Sequence, residues 1–512
     1  MGELITAYDE KYMAYRRDES RMEGAFESIS FPEKEEEAAE ILRLCAEKNV
    51  PVTVQGARTG ICGAAVPAGG HVLCTEKMNK VLEVSEEDGA AYLTAQPGLR
   101  ISEIREALGR EGIRGYRLAC APTEETAAVG GAYACNAKGP GGLLHGDTGD
   151  SVCGIRFLSP DGRAFSIRRG EYLFDGDGIT LPGGTRAALE DLPEKAWFTK
   201  GPFGLYRGMD LIDALAGSEG TLGLVTELRL RLEPEPAERW GVLFFFPEEE
   251  ELLQFLEGIL PLRETGFEDG GNAKIAAVEF YHRTALLLID EARGQIEALR
   301  RVPDFPVGAD CALYVELEAT DDASDALGEL LMRFEEAGGT EEFTWAGTGS
   351  QEMEKFVSMR HAVPEAVNTR VDRNRLAAPE ICKIGCDLQA PVQKLREVLA
   401  MYEKGLADTG IPSVIFGHIA EAHLHVNLLP ENTETFGKAV DLADSWAEKV
   451  CSMGGTAAAE NGVGKHKRIL FLTHTDPQRI RNAQKLKKAM DPMNLLGPGN
   501  LYPGSHREET DN

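Results

Sequence analysis

The sequence predicts an α+β chain with two principal domains, the second built on an antiparallel sheet covered by helices. Three observations predict it. At 512 residues, and roughly 150 residues per domain, the chain is long enough for two or three domains with sizeable cores. Apolar residues recur at helical and then strand spacing from one segment to the next. At Pro234-Glu-Pro236 the pattern shifts from glycine-rich loops between short elements to a regular succession of strands and helices.

Residues 35–49 place Ala38, Ile41, Leu42 and Cys45 at helical spacing, and Pro51-Val-Thr-Val54 follows as a short buried strand. The next stretch, Gly56-Ala-Arg-Thr-Gly-Ile-Cys-Gly63 and Ala64-Ala-Val-Pro67, is too long for a tight hairpin and too glycine-rich for a packed element. Its amides could ring a diphosphate, because glycine permits positive φ and close approach. An ordinary surface loop is the other reading, since the pattern is neither of the common phosphate-loop motifs. Small residues also dominate Pro122 to Gly139 and Leu144 to Asp150, which lets backbone lie against a large planar ligand, and Asp213 to Thr226 repeats the theme. With 56 glycines, above the ~7% average, three such segments suggest one large cofactor. Beyond residue 236, Trp240–Phe246, Ala276–Tyr281 and Cys311–Leu317 read as strands, and Glu250–Ile259 and Ser324–Ala337 as helices.

The formal charge of −30 repels nucleic acid and anionic lipid, so an anionic substrate must be captured by a few local cations or a metal. The ten cysteines lack the Cys-x-x-Cys spacing of zinc ribbons or ferredoxins, so no iron–sulfur site is expected. The N-terminal residues lack a secretory pattern, and the most apolar run, Gly241 to Pro247, is far short of the ~18 residues that span a bilayer. A cytoplasmic protein with reduced thiols is expected.

Gly417-His-Ile-Ala-Glu-Ala-His-Leu-His-Val-Asn427 holds three of the ten histidines. Read as a turn into a strand, it puts His423, His425 and Asn427 on one face. With Glu460 downstream, the set suits a divalent metal such as Zn, Mn or Fe; core histidines bonded to backbone carbonyls are the alternative.

In order along the chain, these segments resemble the FAD-linked oxidases of the vanillyl-alcohol oxidase type, and among them the flavin-dependent D-2-hydroxyacid dehydrogenases acting on lactate or glycolate. Tyr15 to Ser20 is similar to a short N-terminal motif, Gly56 to Gly63 to the pyrophosphate loop, and Gly217 to Thr226 to the Gly-Ser-Glu-Gly-Thr-Leu-Gly signature. The resemblance implies a two-subdomain FAD-binding domain over 1–235, an α/β cap domain with an antiparallel sheet and the metal site over 236–465, and a segment 466–512 returning to the first domain. It implies FAD contacts from Gly56, Ala57, Arg58, Thr59, Gly60 and Gly63 at the pyrophosphate. Along the isoalloxazine and ribityl chain it implies Pro122, Thr123, Thr126, Gly130, Gly131, Asn136, Gly139, Gly146 and Asp150. The signature adds Glu219, Gly220, Gly223 and Val225, and the closing segment Asn500, where this chain reads Gly497-Pro498-Gly499-Asn500. The pyrophosphate loop has no flavin-linking histidine, and Cys62 is read as a buried structural thiol; noncovalent FAD is expected.

The resemblance further makes His418, His425 and Glu460 the ligands of one divalent metal. The base of the family is the histidine after the glutamate. Here that residue is Asn461, whose amide accepts no proton at neutral pH. His423 stands where the family has asparagine, and either replaces the base or is an exposed or core residue. Arg360 matches the arginine that receives the substrate carboxylate, with Lys383 a second candidate. Lys467, in the basic run Lys465 to Arg468, matches a family lysine; a solvated helix N-terminus is the other reading of that run. The implied activity is oxidation of a small D-2-hydroxy acid, D-lactate first, to the 2-oxo acid. Electrons then pass to an external acceptor: an electron-transfer flavoprotein, an iron–sulfur partner or a quinone. A homodimer is one assembly compatible with this reading. Two further readings stay open: a redox-neutral flavoprotein like the alkyl-dihydroxyacetone-phosphate synthases, and a flavin-bearing electron-transfer subunit of a complex.

Overall fold

The computed structural model describes residues 4–87, 89–194, 201–268 and 271–502. The polar tail from Ser505, expected to fray, lies outside the described residues. Two compact units emerge: Met1–Gly139 with His145–Glu235 and Glu460–Asn512, and Pro236–Ala459 with Pro140–Leu144. Glu460 to Lys465, expected with the second domain, fall in the first unit. The cause is local, because backbone and side chains of 462–465 are bonded into its glycine loops as described below.

In the first unit the helix Glu35–Glu47 buries Ala38, Ile41, Leu42 and Cys45, the stripe its apolar period prescribes. It packs beside a four-stranded sheet in the order Thr6–Ala7, Ser28–Ser30, His71–Cys74, Val52–Gln55, whose last three strands run parallel. A second sheet is antiparallel, with Leu224–Pro234 between Ala90–Ala95 and Val152–Leu158. The stretch from Pro122 is not uniformly flat: Val129–Cys135 is a helix, because Val129, Ala132 and Tyr133 form a short buried stripe and the Tyr133 hydroxyl donates to the Ile212 carbonyl at 2.6 Å.

The second unit is a seven-stranded antiparallel sheet ordered Thr344–Thr348, Glu238–Phe246, Cys311–Ala319, Lys274–Tyr281, Ser413–Gly417, His423–Leu428, Ile384–Gln389. The aromatic side chains of Phe244, Phe255 and Phe334 form one of its cores, with ring centroids 4.8 to 5.7 Å apart. On the other core, the long helix Gly349–Arg375 contributes Met353, Phe356, Met359, Val363 and Val367, which sets the orientation of Arg360.

Candidate functional site

In the first unit the glycine segments converge because backbone must touch backbone. A Cβ on Gly56 would lie 3.3 Å from the Ala128 methyl, one on Gly130 only 2.4 Å from Pro97, and one on Gly464 2.0 Å from the Cys62 carbonyl oxygen. Gly131, by contrast, faces open space and is exposed, which leaves the approach a flat cofactor needs. Asn136, in the left-handed region at φ 49°, donates to Asp147 and accepts from the Gly149 amide, both at 2.9 Å. Gly146 is hemmed in by the Asp150 carboxylate, which accepts the Asp147 amide at 2.8 Å. Arg58 stacks 4.3 Å over the Tyr15 ring and lies 3.8 Å from Glu76. With Ala57, Lys77, Lys80 and Arg100 it lines a cavity of about 490 Å³.

The remaining expected cofactor residues differ in their settings. Thr59, Pro122 and Thr123 are half-buried on these loops, while Gly60 and Thr126 are exposed. Gly139, Gly220 and Gly223 serve packing: a Cβ would meet the Ala121 carbonyl at 1.9 Å, Val54 at 3.4 Å and the Phe157 ring at 2.0 Å, and Val225 pairs with Phe157 in the sheet. The Glu219 carboxylate accepts the amides of Val463 at 2.6 Å and Gly464 at 2.8 Å. Burial pushes this carboxyl up to about 7, against the pull of those amides and of Lys465 and Lys467. Buried Asn500 donates to the Ala64 carbonyl at 2.9 Å and accepts from Lys465 Nζ at 2.6 Å, which also donates to the Gly63 carbonyl at 3.3 Å. The basic run is therefore no solvated helix start, since Lys465 is bonded inward and Lys467 is buried. Cys62 is buried too. Together these contacts form a small-residue cradle closed by side-chain brackets, which fits a dinucleotide cofactor.

In the second unit, sheet register assembles the histidines. His423 and His425 lie two apart on one strand, and His418 sits on the turn before it. Their ring centroids are 4.9 Å (His423 to His425), 5.3 Å (His418 to His425) and 5.4 Å (His418 to His423) apart. Asp387 is opposite His425 in the register and meets its Nδ1 at 2.8 Å. Phe280 pairs with Gly417, which brings Glu279 beside His418 with Oε1 3.0 Å from Nδ1. Each carboxylate fixes its imidazole through Nδ1 and thereby presents Nε2, the arrangement that orients and strengthens metal-ligating histidines. Donor atoms of Asp387, His423 and His425 lie within 4.8 Å of one another; Asp387 is taken up by His425 Nδ1 and supports that ring, and the imidazole nitrogens of the cluster are borderline donors that fit Zn, Mn or Fe. Glu460 follows directly on Ala459, whose amide donates to the Asp387 carbonyl at 2.9 Å.

Arg360 reaches Glu279 through Nη1. Burial opposes ionisation of Glu279, yet Arg360 and His418 outweigh it and hold the carboxyl down at about 2. Lys383 Nζ lies 3.4 Å from Asn368 Oδ1, and both Lys383 and buried Asn427 border Gly385. Glu279 and Asp387 escaped the sequence reading. Their signal was a single carboxylate inside an otherwise apolar strand, Ile-Ala-Ala-Val-Glu-Phe-Tyr and Ile-Gly-Cys-Asp-Leu, a placement that is costly unless paired.

Residues 27–168 match the FAD binding domain family, and residues 269–501 the C-terminal domain of FAD linked oxidases. The chain is 25% identical to the D-2-hydroxyglutarate dehydrogenase of Stutzerimonas stutzeri, over 98% of this chain and 96% of that protein. It is likewise 25% identical to the D-lactate dehydrogenase of Anaerostipes hadrus, over 91% and 87%. Among solved structures, p-cresol methylhydroxylase shares the fold with a TM-score of 0.69 at 14% identity, covering 98% of this chain and 94% of that one. With both domain families present in order, the chain belongs to the FAD-linked oxidases, shares its fold with p-cresol methylhydroxylase, and is an FAD-linked oxidoreductase.

Proposed function

We propose that the chain oxidises a small D-2-hydroxy acid, D-lactate first, to the 2-oxo acid. The observation that carries this reading is the pair of carboxylate-anchored imidazoles, His418 on Glu279 and His425 on Asp387, beside His423 and Arg360 in the second unit. The names of two relatives, D-2-hydroxyglutarate dehydrogenase and D-lactate dehydrogenase, support it. FAD, bound noncovalently, supplies the two-electron acceptor for the Cα hydride. One divalent metal, which His418, His425 and Glu460 would hold, would supply Lewis acidity at the substrate hydroxyl.

The chain's own residues do the rest. Arg360 and Lys383 draw the substrate carboxylate in an otherwise acidic protein. His423 takes the hydroxyl proton on an imidazole nitrogen, since Asn461 can only hydrogen-bond. Electrons leave to an external acceptor, an electron-transfer flavoprotein, an iron–sulfur protein or a quinone. Ten cysteines kept as reduced thiols suit the cytoplasm. Among the described residues no helix is long and apolar enough to cross a membrane. Mixing the purified holoprotein anaerobically with D- and L-lactate, glycolate and D-2-hydroxyglutarate tests the reading. Flavin absorbance should bleach with D-lactate and stay with the L-isomer; bleaching by none of the four would defeat it.

A further inference from the structure

The signature segment Gly217 to Gly223 carries a carboxylate that its glycine neighbours do not need. Glu219 stands in the left-handed region at φ 51°, a strained setting for a side-chain-bearing residue. Its two oxygens are each occupied, Oε1 by the Val463 amide at 2.6 Å and Oε2 by the Gly464 amide at 2.8 Å. Its backbone carbonyl accepts from Asn500 at 3.4 Å. The loop it grips has Asn461, Gly462 and Gly464 at φ 65°, 77° and 53°, a run with no regular secondary structure to hold it. Gly462 fits directly over Glu219, with a Cβ there only 2.9 Å from Oε1. A half-buried carboxylate on two adjacent amides is a two-point clamp, and it closes three and four residues after Glu460.

We propose that Glu219 is a positioning residue for the reaction: it fixes the Glu460–Gly464 loop so that Glu460 presents its carboxylate, and Asn461 its amide, in one geometry. This rests on the reading of Glu460 as a metal ligand given above. Glutamine in its place keeps one acceptor for one amide and turns its NH2 against the other, so Glu219→Gln should open the loop without emptying the cradle.

Three readouts on the holoprotein decide it. Hydrogen exchange of peptides covering 460–466 should quicken at least tenfold in Glu219→Gln, with other peptides and the flavin absorbance unaltered. Mn²⁺ returned to chelator-treated protein should bind roughly ten- to a hundredfold more weakly than to wild type, the range expected for outer-shell support of a ligand. Flavin reduction by the best hydroxy acid should slow, and excess Mn²⁺ should restore it, which a merely damaged fold would not allow. Unchanged exchange overturns the proposal, as does faster exchange with wild-type Mn²⁺ affinity and reduction rate. If wild type itself takes up no Mn²⁺, the metal assignment falls. The reduction arm then decides: a lower kcat at unchanged KM supports positioning, and an unchanged kcat overturns it. Should Glu219→Gln lose its FAD, Glu219→Asp, which keeps the charge and reaches only one amide, takes its place with the same readouts.

Discussion

Among single residues, the two carboxylates behind the histidines are the most consequential. Asp387→Asn keeps an acceptor for His425 Nδ1 but removes the charge that strengthens it, so metal affinity should fall roughly ten- to a hundredfold while FAD content is retained. Elemental analysis and flavin absorbance on one preparation check this, and unaltered metal content would remove Asp387 from the site. His423→Ala should slow flavin reduction on the order of a hundredfold or more, the range of a general base, with metal content intact. Asn461→His made in that background should return part of the rate; an unimpaired His423→Ala would exclude His423 as the proton acceptor. The histidines were legible because their spacing is local. Glu279 and Asp387 were not, because their partners are set by strand register across a sheet, which a single segment does not encode.

Between elements, the parallel strands Ser28–Ser30 and His71–Cys74 are tied through His71, whose Nδ1 lies 2.9 Å from Ser28 Oγ and whose Nε2 contacts Ser30 Oγ. Burial pushes the ring down to about 4 from an ordinary 6.5. A lowered histidine pKa means the folded state holds the ring neutral. Its contribution is therefore complete above pH 6.5 and is lost as pH falls toward 4, about 3 kcal/mol in all. Urea unfolding between pH 7 and 4 should show a flatter pH dependence in His71→Gln than in wild type; equal slopes would refute the assignment. The helix Glu35–Glu47 and the strands Glu238–Phe246, Lys274–Tyr281 and Cys311–Ala319 could be read from their apolar patterns, whereas Thr344–Thr348, Ile384–Gln389 and Ser413–Gly417 could not. The helix Val129–Cys135 could not: its stripe of one valine, one alanine and one tyrosine is too small to stand out among glycines, and its stability comes from tertiary contacts such as Tyr133 to Ile212.

For the whole molecule, the −30 charge argues against nucleic acid as a partner and makes the few inward cations informative; Arg360, Lys383 and Lys465 are among them. The domain order was legible, but the return of Glu460–Asn512 to the first unit began earlier than expected because the clamp on Val463 and Gly464 is invisible in sequence. Noncovalent FAD makes a simple forecast. Acid precipitation should release yellow flavin to the supernatant, and colour retained in the washed pellet, or a flavin-mass adduct on the Cys62 peptide, would contradict it. The dehydrogenase assignment itself is tested most directly by anaerobic stopped-flow absorbance of the bound flavin against paired D- and L-2-hydroxy acids. Rapid bleaching by a D-isomer, D-lactate above all, with the L-isomer inert, is the expected result. An oxidised spectrum unchanged by every hydroxy acid, in protein replete with FAD and metal, would contradict it.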